Sequence, residues 1–295
     1  LSKLGSIYRG RGEPELAIAK ASEAIAIAQT TYNETFETWY GWTFVLRAEA
    51  YTDLEMYQEA LADFDQAIVL GPWRSKTYYR RAELHVRLKD YPKAAADFSQ
   101  TIELYPNYST SHYRLAITTL ATDDQAGYHT CCRKMLATFA GSDEPFATYF
   151  TAWTCALAPN TDEIYAPVIK LARHAVEKEQ NNKQYLNGLG AILMRSSQYD
   201  AAKVELEKAL ALGNSDNTSS SYIRYFLAMT EHHLGHNQAA KDQLKIANYA
   251  AKEELKDTDK PPAWNRKLTL ELLRKEAEVL INQAKVTEET TPQEN

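Results

Sequence analysis

Residues 57–72 read YQEALADFDQAIVLGP, and residues 91–106, beginning 34 positions later, read YPKAAADFSQTIELYP. Tyr57, Ala60, Phe64, Ala67 and Pro72 are answered by Tyr91, Ala94, Phe98, Thr101 and Pro106. Two small residues around a larger apolar one, at spacings of four and three, make one face of a helix, and the proline ends it. Recurrence at a fixed period marks helix-turn-helix units stacked side by side, each burying its apolar face on its neighbours. Such a stack presents a binding surface.

The same pattern extends in both directions. With the second small position as marker, seven units follow at Ala24, Ala67, Thr101, Met135, Ala175, Ala209 and Ala247, at intervals of 34 to 43 residues. The first unit reads Leu4, Gly5, Tyr8, Gly12, Ala17, Ala21 and Ala24, with Gly12 and Pro14 in its turn. The sixth reads Leu186, Leu189, Gly190, Leu193, Tyr199, Ala202, Leu206 and Ala209; the seventh places Gly235 in the turn before Ala240, Leu244 and Ala247. The fourth and fifth depart: Tyr128, Cys132 and Met135, then Val168, Ala172 and Ala175, stand where Ala, Phe and Ala are expected, which predicts a looser or shifted helix contact.

These residues resemble the tetratricopeptide repeat family over most of residues 1–250. The resemblance implies an all-α, right-handed superhelical solenoid of about seven hairpins. We expect an N-terminal array over 1–142 and a C-terminal array over 143–260, divided at Gly141 to Pro145. A capping helix over 261–284 and a disordered Thr, Glu, Gln and Pro tail over 285–295 follow. The second half, through Trp153 to Pro159, Tyr185 to Gly190, His232 to His236 and Pro261 to Arg266, also resembles the C-terminal repeat region of large bacterial proteins that carry serine/threonine kinase or WD40 modules.

A formal charge of −6 and a pI near 5.7 give no general attraction to phosphates, so neither nucleic acid nor an anionic membrane is an expected partner. With 11 glycines and 10 prolines in 295 residues, long helices with short turns are favoured over a strand-rich fold. Cys131, Cys132 and Cys155 have no paired spacing, which points to a reducing, cytoplasmic setting and buried thiols. No apolar run has the length of a membrane span.

In tetratricopeptide arrays the first helix of each hairpin lines the concave groove. Carrying those positions onto units two to four gives Trp42, Val45, Glu49, Thr52 and Asp53, then Lys76, Tyr79, Glu83, Val86 and Arg87, then Thr110, Tyr113, Ile117, Leu120 and Ala121. The expected peptide groove is therefore Trp42, Lys76, Tyr79, Arg80, Arg87 and Tyr113, with rings supplying contact area and cations holding carboxylates. Lys76 and Arg80 also match the pair that holds a C-terminal carboxylate in chaperone-binding members. Ser2, Ser6 and Leu46 depart from the rest of that clamp, so an ion pair between Arg80 and Glu83 competes with it.

His232 and His236 stand four apart, but Gly235 between them belongs to a turn, and no further ligand is nearby, so no metal or other cofactor is expected. No nucleophile elbow, zinc-protease helix or phosphate loop occurs, so no enzyme is expected. The expectation is a non-catalytic scaffold that binds an extended peptide or partner helix. The alternative is a regulatory segment of a larger signalling protein, acting in cis or by pairing with a second copy. The acidic tail, with Glu288, Glu289 and Glu294, is a further candidate occupant of a cationic groove.

Overall fold

The computed structural model describes residues 1–30, 37–213, 218–258 and 261–288, with side chains described for all of these except 37–39 and 283–288. Among the described residues there are fifteen α-helices and no strand. They follow one another as hairpins: α1 (Ser2–Gly10) with α2 (Pro14–Thr30), α3 (Glu37–Asp53) with α4 (Tyr57–Leu70), and α5 (Ser75–Arg87) with α6 (Tyr91–Leu104). Next come α7 (Ser109–Leu120) with α8 (Gln125–Phe139), α9 (Pro145–Ala156) with α10 (Asp162–Lys178), α11 (Lys183–Arg195) with α12 (Tyr199–Ala211), and α13 (Ser220–His233) with α14 (Asn237–Leu255). A single helix, α15 (Trp264–Glu288), ends the series. The chain falls into two compact units, Leu1–Ser111 and His112–Asn295. The turn at residues 141–145 leads from α8 into α9, and residues 289–295 of the expected tail lie outside the described residues.

One backbone device makes six of the turns within hairpins. Gly12, Glu55, Lys89, Asp123, Ser197 and Gly235 have φ between 55° and 79°. In each case the next residue donates its N–H to the carbonyl five positions back, as in Asp90 to His85 at 2.9 Å, Met56 to Tyr51 at 2.9 Å and His236 to Glu231 at 2.9 Å. This is the left-handed helix end that satisfies the last carbonyls. Only Gly12 and Gly235 take the conformation without steric cost; at Glu55, Lys89, Asp123 and Ser197 it opposes folding by about 1 to 2 kcal/mol each. Between α9 and α10 the connection is longer and passes through Pro159, and two tyrosines hold it. The Tyr128 hydroxyl donates toward Thr154 O at 3.0 Å and accepts from Ala158 N at 3.2 Å, while the Tyr165 hydroxyl accepts from Asn160 N at 2.8 Å.

Ala60, Phe64, Ala67, Ala94, Phe98 and Thr101 are all buried. Each phenylalanine contributes about 2 to 3 kcal/mol by leaving water. Tyr128, Cys132 and Met135 are fully buried too. In the first hairpin the buried set is Ala17, Ala21 and Ile25 instead of the expected Ala24, because Ile25 offers a larger apolar side chain to Phe44 and Val45. Gly190 permits a close helix contact: a Cβ there would stand 2.6 Å from Leu206 Cγ.

A charged ladder shares the 34-residue period. Arg47 binds Asp63 through two bonds of 2.7 and 2.8 Å, and Arg81 binds Asp97 through two of 2.8 and 2.7 Å. Each arginine projects from the first helix of a hairpin to a buried aspartate on the second, in fork geometry. Arg47 also reaches Ser22 Oγ at 3.0 Å, and Arg81 pairs with Asp65, so each ties its hairpin to the preceding one. The spacing of these residues is visible in the sequence, but an apolar-periodicity reading passes over them.

Beside the second rung, His85 is buried with Nε2 3.9 Å from Asp97 Oδ2. Desolvation lowers its pKa; Asp97 opposes that shift and Arg81 adds to it. The unfolded chain therefore binds a proton near pH 6.5 that the folded chain refuses, and stability falls as pH drops below that value. His233 carries a lowered pKa with the same sign. Thermal unfolding followed from pH 7.5 to 5.5 is expected to show a falling midpoint, with a shallower fall in His85→Gln. An unchanged slope in that variant would remove His85 from the account.

Candidate functional site

The first unit brings four of the six expected groove residues together. Lys76 and Arg80 lie one turn apart on α5, and the Lys76 ammonium sits 5.0 Å from the centroid of the half-buried Trp42 ring on α3. A cation over an indole face contributes about 0.5 to 1 kcal/mol when exposed. Tyr79 sets its ring edge-on to Phe98 at 5.8 Å and lies 6.0 Å from Tyr108. A cavity of about 430 Å³ opens there, lined by Ser75, Lys76, Tyr79, Arg80, Thr101, Tyr105 and Tyr108. Tyr105 and Tyr108 are 55% and 43% exposed, so both rings are available to a partner.

Arg80 is partnered across hairpins. Its Nε lies 2.9 Å from Glu49 Oε1, and the other Glu49 oxygen receives Arg9 Nη1 at 2.6 Å. Arg9 also pairs with Asp53 at 2.6 Å. The structure sets Arg80 against the buried Glu49, whose two oxygens are shared by two arginines. Arg87 is exposed in the last turn of α5 and does not line the cavity. Tyr113 is only 4% exposed, its hydroxyl 2.8 Å from Thr269 Oγ1 and its ring edge-on to Phe150 at 5.6 Å, inside the second unit. Tyr105 and Tyr108 were missed because the groove positions were sought on first helices alone. Their signal was the pair of aromatic residues around the closing Pro106, where the preceding repeat has Gly71 and Pro72.

In the second unit a larger cavity, about 550 Å³, lies between the first helices and α15. Its walls include Leu157, Met194, Arg195, Met229 and His233, faced by Leu272, Glu276 and Leu280 of α15. The Arg195 side chain is 5% exposed; Nε donates to Ala156 O at 2.8 Å, and Nη2 donates to Leu157 O at 3.3 Å and Glu276 Oε2 at 2.6 Å. The guanidinium thus closes the carbonyl end of α9, where a cation is favoured, and holds α15. His233 stacks on Tyr199 with centroids 4.6 Å apart, and His236 Nδ1 lies 2.7 Å from Glu231 Oε2. His232 sets its ring edge-on to His233 with centroids 5.7 Å apart, and among the described residues no group of three His, Cys, Asp or Glu converges for a metal.

Cys131, Cys132 and Cys155 are buried free thiols. Burial pushes Cys131 up, and contact with Cys132 followed by burial pushes Cys155 up, away from the thiolate that reactivity needs. Among the described residues no helix is long and apolar enough to cross a membrane.

Residues 75–108, the α5 and α6 hairpin with its cavity, match the tetratricopeptide repeat family. A crystal structure of a tetratricopeptide repeat protein from Parabacteroides merdae superposes with a TM-score of 0.54 at 13% identity, covering 92% of this chain and 96% of that one. The chain has the fold of a tetratricopeptide repeat protein, and its third hairpin is the one that family matches. Two further solved structures are less similar. YrrB, a tetratricopeptide repeat protein with an unusual peptide-binding site, gives a TM-score of 0.45 at 12% identity over 65% of this chain and 91% of that one. MamA from Desulfovibrio magneticus RS-1 gives 0.44 at 18% identity over 60% and 97%. No curated protein matches the sequence. These comparisons give the tetratricopeptide fold and no support to the kinase or WD40 resemblance of the second half.

Proposed function

We propose that this protein is a non-catalytic protein-interaction scaffold whose first unit receives an extended peptide carrying a carboxylate next to an aromatic or large apolar side chain. The observation that carries the reading is the 430 Å³ cavity, where Lys76 and Arg80 border Tyr79, Tyr105 and Tyr108 on one repeat. Cavities of this size suit a side chain or a short backbone segment more than an extended flat partner. The tyrosines supply contact area with few rotatable bonds, and the cations select acidic character. Glu49 takes part of the Arg80 charge, so Lys76 is the cation on which an acidic group depends most.

The test is a displayed library of random peptides selected on the full chain, with binders titrated against Lys76→Glu and Tyr105→Ala. Both residues are exposed, so the fold is retained. Each variant is expected to weaken the selected peptides at least tenfold, about 1.4 kcal/mol, in the range of an interface anchor. Selected peptides that carry no acidic residue, or that bind both variants as tightly as the parent, would overturn the proposal.

A further inference from the structure

We propose that α15 is a resident ligand of a second groove, formed by the first helices of the second unit, and that this groove takes in its place an amphipathic partner helix bearing a glutamate in register with an apolar stripe. A helix that only capped the last hairpin would need α13 and α14 alone. α15 does pair with α14, through Arg266 to Glu254 at 3.0 Å and Glu278 to Asn248 at 2.9 Å, but it also binds along the series: Thr269 to Tyr113 on α7 at 2.8 Å, the Arg266 carbonyl to Tyr222 on α13 at 3.3 Å, and Glu276 to Arg195 on α11 at 2.6 Å. Trp264 receives the Arg114 guanidinium at 5.6 Å. Tyr113 belongs to the groove positions of the repeat, and its ligand is the chain's own helix.

The chemistry of a replacement is written in α15. Arg195 is a buried cation, so a helix that covered it without a carboxylate would leave it uncompensated; this makes the glutamate a requirement and not an ornament of the surface. The apolar requirement comes from Leu270, Leu273, Ala277 and Ile281, all at most 2% exposed. Beside Leu272 and Leu280 the groove keeps about 550 Å³ that α15 does not fill. A helix with larger side chains on that flank buries more surface at equal charge, which gives it the differential affinity that displacement needs.

The site is distinct from the first-unit cavity, and its test is separate. A fluorescent peptide with the native sequence of residues 262–284 is titrated by anisotropy into the full chain and into full-length Glu276→Lys. In the parent the tethered helix competes at an effective concentration near millimolar. The native peptide is expected to bind Glu276→Lys at least tenfold more tightly than the parent, and the same peptide carrying Glu276→Lys is expected to bind neither. Full-length Leu273→Ala, which weakens docking without touching charge, is expected to gain affinity for the native peptide as well. Failure of the native peptide to bind either folded variant would overturn the proposal, as would equal binding of the charge-reversed peptide. Loss of helical circular dichroism in both variants would also overturn it, by making α15 an integral part of the fold.

Discussion

Arg81→Ala is expected to lower the unfolding free energy by about 3 to 5 kcal/mol, the range for removing one partner of a buried ion pair. Asp97 is buried on α6 and receives both arms of the Arg81 fork, while the remaining guanidinium nitrogen ties α5 back to Asp65 on α4. Truncation leaves the carboxylate in the core beside His85, 3.9 Å away. Arg81 helps to hold the His85 pKa down, so its removal beside Asp97 raises that pKa. Proton uptake by the folded variant then offsets part of the loss at low pH, and the acid-induced fall in midpoint becomes smaller than in the parent. Urea unfolding at pH 7.5 and 5.5 checks both statements. The double variant Arg81→Met, Asp97→Leu is expected to recover most of the loss, because an apolar pair of similar volume needs no charge compensation. A loss below about 1 kcal/mol in the single variant, the range of an exposed pair, would mean that the ladder is ornamental.

Arg195→Ala is expected to have an effect of similar size, about 3 to 5 kcal/mol, but expressed elsewhere. Glu276 loses its partner, and the carbonyls of Ala156 and Leu157 lose their donor at the end of α9. The loss should therefore appear as faster amide exchange in α15 and in the α9 to α10 connection, with α5 and α6 unaffected, since units of a repeat array open separately. Hydrogen exchange resolved by peptide separates these regions. Uniform acceleration throughout the chain would contradict the local role assigned to Arg195.

The parts of this fold that rest on periodic apolar burial were legible in the sequence. Ala60, Phe64 and Ala67 and, one repeat later, Ala94, Phe98 and Thr101 sit where the pattern put them, and Gly12 and Gly235 turn their hairpins. The turns at Glu55, Lys89, Asp123 and Ser197 were not legible, because the left-handed conformation there is imposed by packing of the flanking helices against residue preference. Contacts between hairpins were equally hidden. The pairing of Arg80 with Glu49 depends on how α3 and α5 stand side by side, which helix periodicity alone does not give. Tyr113 shows the same limit: its position in the repeat marked it as groove-facing, but whether that position meets solvent or α15 was decided 156 residues later in the chain, at Thr269. For the candidate site, Lys76, Tyr79 and Arg80 came from the repeat register, whereas Tyr105 and Tyr108 required knowing which loop folds over α5.

The most direct test of a peptide site on the α5 and α6 hairpin is hydrogen exchange of the full chain with and without a saturating selected acidic peptide. The account predicts added protection confined to residues 75–80 and 101–108. Protection that appears instead in α11, α13 and α15, with residues 75–108 unchanged, would contradict it.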